Sequence, residues 1–221
     1  MIDGGSTDGT LGVLEVYRDK LANRTSEPDD GIYDAMNKGI SLATGDIIGF
    51  LNADDMYADP DVLQMVVDAF RDASLDACYG DLVYVDPQNT SKVIRYWKSR
   101  DYRAGLFRLG WVPPHPTFFV RRNIYERFGM FDLRYHLAAD FELMMRFLEK
   151  EKVRSMYVPK VLVKMRLGGA TNNSLSNIWK QNVEIYQSAR QHGIAMSPIV
   201  FVFNKLIARA QQFFARPRDA R

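Results

Sequence analysis

A continuous apolar run, IIGFL at residues 47–51, lies between a stretch of helical periodicity and the acidic tetrapeptide NADD. Such a run is typical of a strand buried on both faces, as in a parallel sheet covered by helices. Before it, GIYDAMNKGISLATGD predicts a helix that ends near Gly45, and after it PDVLQMVVDAF predicts an amphipathic helix with proline at its first position. This alternation predicts an α/β, Rossmann-like domain with a mostly parallel sheet flanked by helices.

The other segments add one hairpin and several short elements. ACYGDLVYVD and KVIRYW, joined by PQNTS, predict a small antiparallel hairpin inserted in the sheet. LGVLEVYRDKL and AADFELMMRFLEK predict helices, TFFV a short strand, and NIYERFGMFD a brief helix closed by Gly129. VRSMYV and VLVKMR predict two further short strands, which lead through the loop LGGATNNS to a helix near residues 177–191.

The C-terminal segment predicts a basic amphipathic helix. Its apolar stripe consists of Phe203, Leu206, Ile207, Ala210, Phe213 and Phe214, and its other face carries Lys205, Arg209, Gln212 and Arg216. We therefore divide the chain into a domain at residues 1–195 and a C-terminal helix and tail at 196–221. Such a helix suits an anionic membrane surface, while packing on the domain or at a dimer interface is an equally open alternative.

Composition excludes several functional classes. The formal net charge of +2 gives no electrostatic case for binding nucleic acid. The single cysteine, Cys78, excludes an internal disulfide and a cysteine zinc cluster. The first residues are acidic where a signal peptide would be basic, and the longest strongly apolar run near the C-terminus, residues 199–203, is far below the roughly 18 residues of a membrane span. We therefore expect a cytoplasmic protein.

Two acidic clusters follow predicted strands, where ligands collect in open α/β sheets. They are Asp3 with Asp8, and Asp54 with Asp55. Neighbouring carboxylates repel each other, so such a cluster indicates a shared cation, most naturally Mg²⁺ or Mn²⁺ bound together with a phosphate ligand. The alternative is structural, because Asp, Gly, Ser and Thr are also the ordinary residues of a turn that precedes a helix.

Six segments together carry a family resemblance: IDGGSTDGT, DDGIYDAMNKGI, TGDIIGFLNADD, YGDLVYVD, PHPTFF and AADFELMMRF. In this order they resemble the inverting family-2 glycosyltransferases of the GT-A fold, particularly the bacterial enzymes that build surface polysaccharides. The resemblance covers most of the chain. It implies a GT-A-like fold and metal-dependent, inverting transfer of a sugar from a UDP-, GDP- or dTDP-sugar to a glycan or a lipid-linked acceptor.

The resemblance also assigns the donor site. It implies that Asp3, with Ser6 and Thr7, contacts the nucleoside. The D-x-D motif of the family matches residues 52–54, so that Asp54 is the implied metal ligand, with Asp55 beside it. This chain departs from the motif at Asn52, whose amide can bond a ribose hydroxyl but brings no charge to a metal.

The catalytic base of the family matches Asp140, at the start of a late helix. Inversion needs one carboxylate to take the proton of the acceptor hydroxyl as it attacks the anomeric carbon. The small residues Ala138 and Ala139 are expected to leave room for a sugar ring. The structural alternative is that Asp140 only caps its helix, worth about 1 kcal/mol, and the two roles are compatible.

Four further positions are candidates for the site, and each of them also has an ordinary structural explanation. Arg166, in the segment MRLGGATNNS that closes over the donor in related enzymes, is placed to reach the diphosphate, although a glycine-rich surface loop is the plainer interpretation. Asp30 and Lys38 fall where the family lines the nucleotide site, although Lys38 also suits a solvated helix face. His115, between prolines, is a weak candidate for the acceptor pocket and is more simply structural.

In the resembling family a βαβ segment precedes the turn DGGSTDGT, whereas here only Met1 and Ile2 stand before it. A parallel sheet without a central strand would leave backbone groups unpaired. We therefore expect that this chain is a fragment, N-terminally truncated relative to the family, or the product of a gene model that starts at an internal methionine. The alternative to an enzyme is a non-catalytic truncated domain that binds a nucleotide-sugar or only a protein partner.

Overall fold

The computed structural model describes residues 1–168, 175–215 and 217. Seven helices of this part are α1 (Thr10–Val16), α2 (Ile32–Leu42), α3 (Val62–Ala69), α4 (Arg122–Phe128), α5 (Ala139–Met145), α6 (Leu175–Gln191) and α7 (Pro198–Phe214). Its strands are β1 (Ile2–Asp3), β2 (Thr25–Ser26), β3 (Ile47–Ile48), β4 (Asp55–Tyr57), β5 (Ala77–Val85), β6 (Val93–Trp97), β7 (Phe119–Arg121) and β8 (Ser155–Arg166). Helix α5 continues as a π-helical turn at Arg146–Lys150.

A mixed six-stranded sheet is the centre of the domain. Its strands lie in the order β3-β7-β5-β8-β4, and β6 pairs with β5 to complete the predicted hairpin. Only the β5–β8 pair is parallel, and the other four pairs are antiparallel. The predicted α/β class is correct, but the prediction of a mostly parallel sheet is wrong. An apolar run reports that a strand is buried and carries no information about the direction of its neighbour.

The run IIGFL forms only a two-residue strand. β3 ends at Ile48 and pairs antiparallel with β7. At the next residue, Gly49, the ring of Phe119 lies 2.4 Å from where a Cβ would stand, so only glycine allows this approach. The chain then leaves the sheet and runs to the acidic residues as a loop.

Two predicted strands, VRSMYV and VLVKMR, form the single strand β8. The register against β5 shifts between Tyr79 and Asp81, where the five residues of β8 from Tyr157 to Val161 oppose three of β5. A bulge of this kind accommodates a proline, which has no N–H to donate to a ladder. Pro159 therefore does not end the strand.

Helices cover both faces of the sheet. On one face Val62 and Val66 of α3 pack against Cys78 and Leu162, so the lone cysteine behaves as a small apolar residue. On the other face α2, α4, α5 and α6 enclose the larger core. Inward-facing residues at helical spacing account for this packing, as with Met36 and Ile40 in α2.

The C-terminal helix α7 packs against β6 and the turn at Phe107–Leu109. Phe201 is buried in the main core, whereas Phe203, Leu206 and Phe214 of the predicted stripe are 62%, 62% and 86% exposed. The helix therefore packs on the domain with its other side, and its apolar stripe faces outward. In the described ranges no helix combines the length and the hydropathy of a segment that crosses a bilayer. Arg216 lies outside these ranges.

Candidate functional site

The turn after β1 is organised by one buried carboxylate. Asp3 Oδ2 accepts hydrogen bonds from the backbone N–H of Gly5 at 3.2 Å, from that of Ser6 at 3.0 Å and from Ser26 Oγ at 2.6 Å. The hydroxyl of Ser6 donates to Oδ1. The Ser26 and Ser6 bonds lower the pKa of Asp3 to about 2. Asp3 is therefore ionised at neutral pH and holds the turn against the parallel strand β2.

This turn lies against the loop that enters α2. The position of a Cβ on Gly4 is 2.4 Å from Asp29 Oδ2, and that on Gly5, at φ +82°, is 3.3 Å from the nitrogen of Pro28. Ser6 and the exposed Thr7 are thereby brought next to the segment with Asp30. The structure therefore brings together three residues that were predicted to bind the nucleotide-sugar donor: Ser6, Thr7 and Asp30.

Lys38 fastens the same loop to α2. Its ammonium donates to the carbonyl of Pro28 at 3.0 Å and forms ion pairs with Glu27 at 3.0 Å and Asp34 at 3.4 Å. Glu27 is the largest cause of the raised pKa of Lys38. The Asp30 side chain is exposed, and its backbone N–H donates to Asp34 at 3.2 Å. Lys38 thus fixes the loop to α2, while the Asp30 side chain remains exposed.

The NADD segment forms a turn that places two carboxylates side by side. Asp55 N donates to the Asn52 carbonyl at 3.0 Å, and Asn52 Nδ2 donates to Asp55 Oδ2 at 3.2 Å. Asp54 is exposed, whereas Asp55 is buried. Burial, and then the charge of Asp54, raise the pKa of Asp55 to about 6. The turn therefore concentrates negative charge that the protein compensates only weakly.

These donors fit a hard divalent cation. Within the described part of the chain, Asp55 Oδ1 is buried without a hydrogen-bond partner. No group of three or more His, Cys, Asp or Glu side chains there is placed to hold a metal. Two carboxylates without further protein ligands match Mg²⁺, which keeps several waters and binds through one or two carboxylates plus substrate phosphates. Asn52 uses its amide N–H₂ on Asp55, which agrees with a supporting role.

Arg166 stands at the same edge of the sheet. β8 pairs antiparallel with β4 so that Met165 is opposite Asp55, and Arg166 is opposite Val85 of β5. The structure therefore brings Arg166 next to the NADD turn along the strand. Residues 169–174 of the predicted closing segment lie outside the described residues.

Asp140 is the second residue of α5, as predicted, and is held by a tyrosine. Its Oδ1 accepts hydrogen bonds from Tyr33 OH at 3.0 Å and from the backbone N–H of Phe141 at 2.8 Å. Burial, and then the charge of Asp140, raise the pKa of Tyr33, so the phenol stays a donor. Ala138 and Ala139 are fully buried, so the prediction that they leave room for a sugar ring is wrong. Their small side chains pack α5 into the core.

An aromatic cluster connects Asp140 to the NADD turn. Phe50, two residues before Asn52, stacks on His115 with ring centroids 5.7 Å apart and meets Phe131 at 5.5 Å. Phe131 stacks in turn on Tyr33 at 5.4 Å. Burial lowers the pKa of His115, so that it is a neutral ring within this cluster. The cluster packs the Tyr33–Asp140 pair and the loop before the acidic turn into one structure.

A cavity of about 120 Å³ opens beside this cluster. It is lined by Asp30, Gly31, Ile32, Tyr33, Leu133, Tyr135 and His136. The lining combines tyrosine rings with a carboxylate and an imidazole, so it places apolar ring faces next to groups that can form hydrogen bonds.

Two residues of the site were not found from the sequence. Tyr33 binds Asp140 across 107 positions of the chain, and Ser26 completes the shell of Asp3 across 23 positions. Tyr33 stands within the segment DDGIYDAMNKGI, so its place in the first turn of a helix was a usable signal. Nothing in the local sequence distinguishes Ser26, in β2, from other serines of the chain.

Comparisons with known proteins bear on the family and the fold of this chain. Residues 1–131 match the family model described as glycosyl transferase family 2. A "PGL/p-HBAD biosynthesis glycosyltransferase" of Mycobacterium tuberculosis is 32% identical over 178 residues, covering 79% of this chain and 67% of the relative. A hyaluronan synthase of Pasteurella multocida is 28% identical over 197 residues, which are 86% of this chain and 20% of that protein.

Solved structures share the fold at lower identity. TarS of S. aureus in complex with UDP has a TM-score of 0.58 and 16% identity, covering 99% of this chain and 63% of that one. The mannosyltransferase PcManGT from Pyrobaculum calidifontis, in complex with GDP-Man and Mn²⁺, has a TM-score of 0.57 and 19% identity, covering 96% and 59%. The chain thus spans about three fifths of these two structures. The GT-A-like fold is confirmed, and the chain belongs to glycosyl transferase family 2.

Proposed function

We propose that the protein is a metal-dependent, inverting glycosyltransferase that moves a sugar from a nucleotide-sugar donor to a glycan or lipid-linked acceptor in surface polysaccharide biosynthesis. One observation carries the proposal: a carboxylate held by a tyrosine, Asp140 with Tyr33, shares an aromatic cluster with the loop of the acidic NADD turn. An inverting displacement needs a general base, and near it a site for a metal ion that compensates the negative charge of the leaving diphosphate.

Asp140 accepts the proton of the acceptor hydroxyl as that oxygen bonds to the anomeric carbon. The bond between the anomeric carbon and the diphosphate oxygen breaks at the same time, and the diphosphate leaves with its electron pair. Tyr33 keeps the carboxylate oriented through its bond to Oδ1, which leaves Oδ2 for the proton. Asp54 and Asp55 would hold Mg²⁺ or Mn²⁺, which supplies compensation for the charge of the leaving diphosphate.

The donor is a UDP-, GDP- or dTDP-sugar in this proposal. Asp3 orders the turn that presents Ser6 and Thr7 to the nucleoside, and Asp30 and Lys38 border it. Asn52 contacts the ribose, and Arg166 approaches the diphosphate from β8. The bound UDP and GDP-Man of the two neighbouring structures support a nucleotide-sugar donor.

We assign the acceptor sugar to the cavity beside Tyr33, which reaches the base through its own hydroxyl. Tyrosine faces stack well on sugar rings, and the imidazole of His136 can bond hydroxyls.

The outward apolar stripe of α7 supports peripheral contact with the inner face of the cytoplasmic membrane. Ile199, Phe203, Leu206 and Phe214 are all more than 60% exposed, and Arg209 is an exposed cation on the same helix. A helix of this kind lies in the plane of a membrane interface. We expect co-sedimentation with vesicles that contain phosphatidylglycerol, and a Phe203→Ser, Leu206→Ser variant that stays in the supernatant. Equal sedimentation of the parent protein and the variant would exclude this stripe as the membrane contact.

Calorimetric titration tests the donor site. UDP, GDP and dTDP are each added with and without Mn²⁺, and we expect binding of one of them only with the metal. Binding of none by the folded protein would favour the alternative of a non-catalytic domain.

Substitution tests the base. Asp140→Asn should abolish release of the nucleoside diphosphate from its sugar donor and leave donor binding unchanged. Asp132→Asn is the matched control, because Asp132 lies eight residues before Asp140 in the chain and forms an ion pair with Arg134. Full turnover by Asp140→Asn would remove Asp140 from the mechanism.

A further inference from the structure

Two side chains of α6 bind the backbone of the segment that leads into Asp140. The backbone N–H of Leu137, three residues before Asp140, donates to Glu184 Oε2 at 2.8 Å. The carbonyl of Leu137 accepts from Gln181 Nε2 at 3.1 Å. Gln181 and Glu184 are three positions apart in α6 and thus lie on one face of the helix. Both polar groups of one peptide residue are therefore bound to neighbouring side chains of a single helix.

Helix α7 supplies the next contact. Lys205 Nζ donates to Gln181 Oε1 at 3.2 Å and to Asn182 Oδ1 at 3.0 Å. Because an ammonium can only donate, it fixes the oxygen of the Gln181 amide on the side of α7. The amide nitrogen is then directed to the carbonyl of Leu137. Lys205 thus selects one of the two possible orientations of the Gln181 side chain.

Close packing holds Lys205 in this place. Lys205 Nζ lies 5.6 Å from the centre of the ring of Phe201, one turn earlier in α7. The Phe201 ring in turn meets the ring of Phe141 edge-on, with centroids 5.9 Å apart. Gly110, at φ +80°, lets α7 approach so closely that its Cβ position would be 2.9 Å from the carbonyl oxygen of Phe201. Desolvation lowers the pKa of Lys205 to about 8, which indicates that the ammonium is inside the packed region.

We infer that Lys205, Gln181 and Glu184 are positioning residues that set the location of the catalytic base through the backbone of Leu137. The inference rests on the proposed role of Asp140. It makes α7 part of the catalytic architecture, beyond the basic face that the sequence predicted for Lys205. Displacement of a reacting group by about 1 Å can cost on the order of 100-fold in rate, so a clamp on this segment has a large effect on turnover.

Two isosteric substitutions in α6 separate positioning from packing. Gln181→Glu keeps an oxygen for Lys205 but replaces the donor to the Leu137 carbonyl by a second acceptor. Asn182→Asp is the matched control, because it adds the same charge next to the same ammonium and Asn182 makes no hydrogen bond to residues 136–140 among those the structure describes. We expect kcat to fall about 10-fold or more in Gln181→Glu, with the Kd of the nucleoside diphosphate unchanged. Asn182→Asp should stay within about 2-fold of the parent chain.

The readouts are release of nucleoside diphosphate from UDP-glucose, GDP-mannose or dTDP-rhamnose, whichever nucleotide binds, and calorimetric Kd values. Equal kcat in the two variants would overturn the inference. If Gln181→Glu does not fold, Lys205→Met replaces it, with Lys205→Arg expected to recover at least part of the lost kcat; no difference between those two would also overturn it. Asp140→Asn is measured in parallel, because its full activity would refute the role of the base, whereas its inactivity with a fully active Gln181→Glu would refute only the clamp.

Discussion

Replacement of Asp55 by asparagine should stabilise the metal-free protein at neutral pH. Asp55 is buried beside Asp54, and burial raises its pKa from 3.8 to about 6. A carboxyl group with a raised pKa in the folded state opposes folding once it is ionised. The cost is fully present above about pH 6, falls as the pH decreases, and is absent below about pH 3.8.

The two pKa values set the size of this effect. The difference between 3.8 and about 6 corresponds to ~3 kcal/mol of unfolding free energy above pH 6, at 1.36 kcal/mol for each factor of ten. Asparagine keeps an oxygen to accept from Asn52 Nδ2 and removes the charge. The expected gain is therefore up to ~3 kcal/mol at pH 7.5 and close to zero at pH 4.

Urea unfolding at the two pH values, in the presence of a chelator, measures this difference. Asp46→Asn is the control, because Asp46 is an exposed carboxylate just before β3. Mn²⁺ should then stabilise the parent chain and not Asp55→Asn, since a ligand that binds only the folded state stabilises it. A gain of equal size at pH 4 and pH 7.5, or equal stabilisation of both proteins by Mn²⁺, would refute the reasoning.

Three other substitutions test separate parts of the structure. Tyr33→Phe removes the 3.0 Å bond to Asp140, so kcat should fall about 10-fold, ~1.4 kcal/mol, with donor Kd unchanged; an unchanged kcat would contradict the orienting role. Gly80→Ala would place a Cβ 2.5 Å from Leu162 Cγ, so urea unfolding should show a loss of about 1–3 kcal/mol, and a neutral result would mean that β8 can shift. Glu142→Gln leaves the buried guanidinium of Arg146 without its counterion, so the unfolding free energy should drop by about 3 kcal/mol at pH 7.5. A loss below about 1 kcal/mol would mean that other groups compensate the charge of Arg146.

Local patterns predicted most elements and failed on strand direction. The periodicity of residues 32–42 and 62–69 identified α2 and α3, and the turn between two β-rich runs identified the β5–β6 hairpin. The direction of β3 and the continuity of β8 depend on partners far along the chain, at β7 and β5. No short-range signal reports such pairing, so both predictions were wrong.

In the candidate site, too, the sequence predicted some features and could not predict others. Asp140 was predicted at a helix start and lies there. The NADD segment was predicted at the end of a strand, but it follows the loop after β3, and its Asp55 is the first residue of β4. The roles of these residues remain proposals. What the sequence could not provide is the side-chain geometry: the inward turn of Lys205, the tyrosine on Asp140 and the four donors around Asp3. These contacts join elements that are separated by up to 107 residues.

The parallel pairing of β5 with β8 has a consequence for biosynthesis. β8 covers one whole edge of β5, and the paired residues Ala77 and Ser155 are far apart in sequence. Closing so long a loop is slow and precedes any gain from the contacts, so the central sheet cannot form until the ribosome has released residue 166. A nascent or cloned segment that ends near residue 131, where the family match ends, would leave the edge of β5 that pairs with β8 without its partner strand and is expected to aggregate.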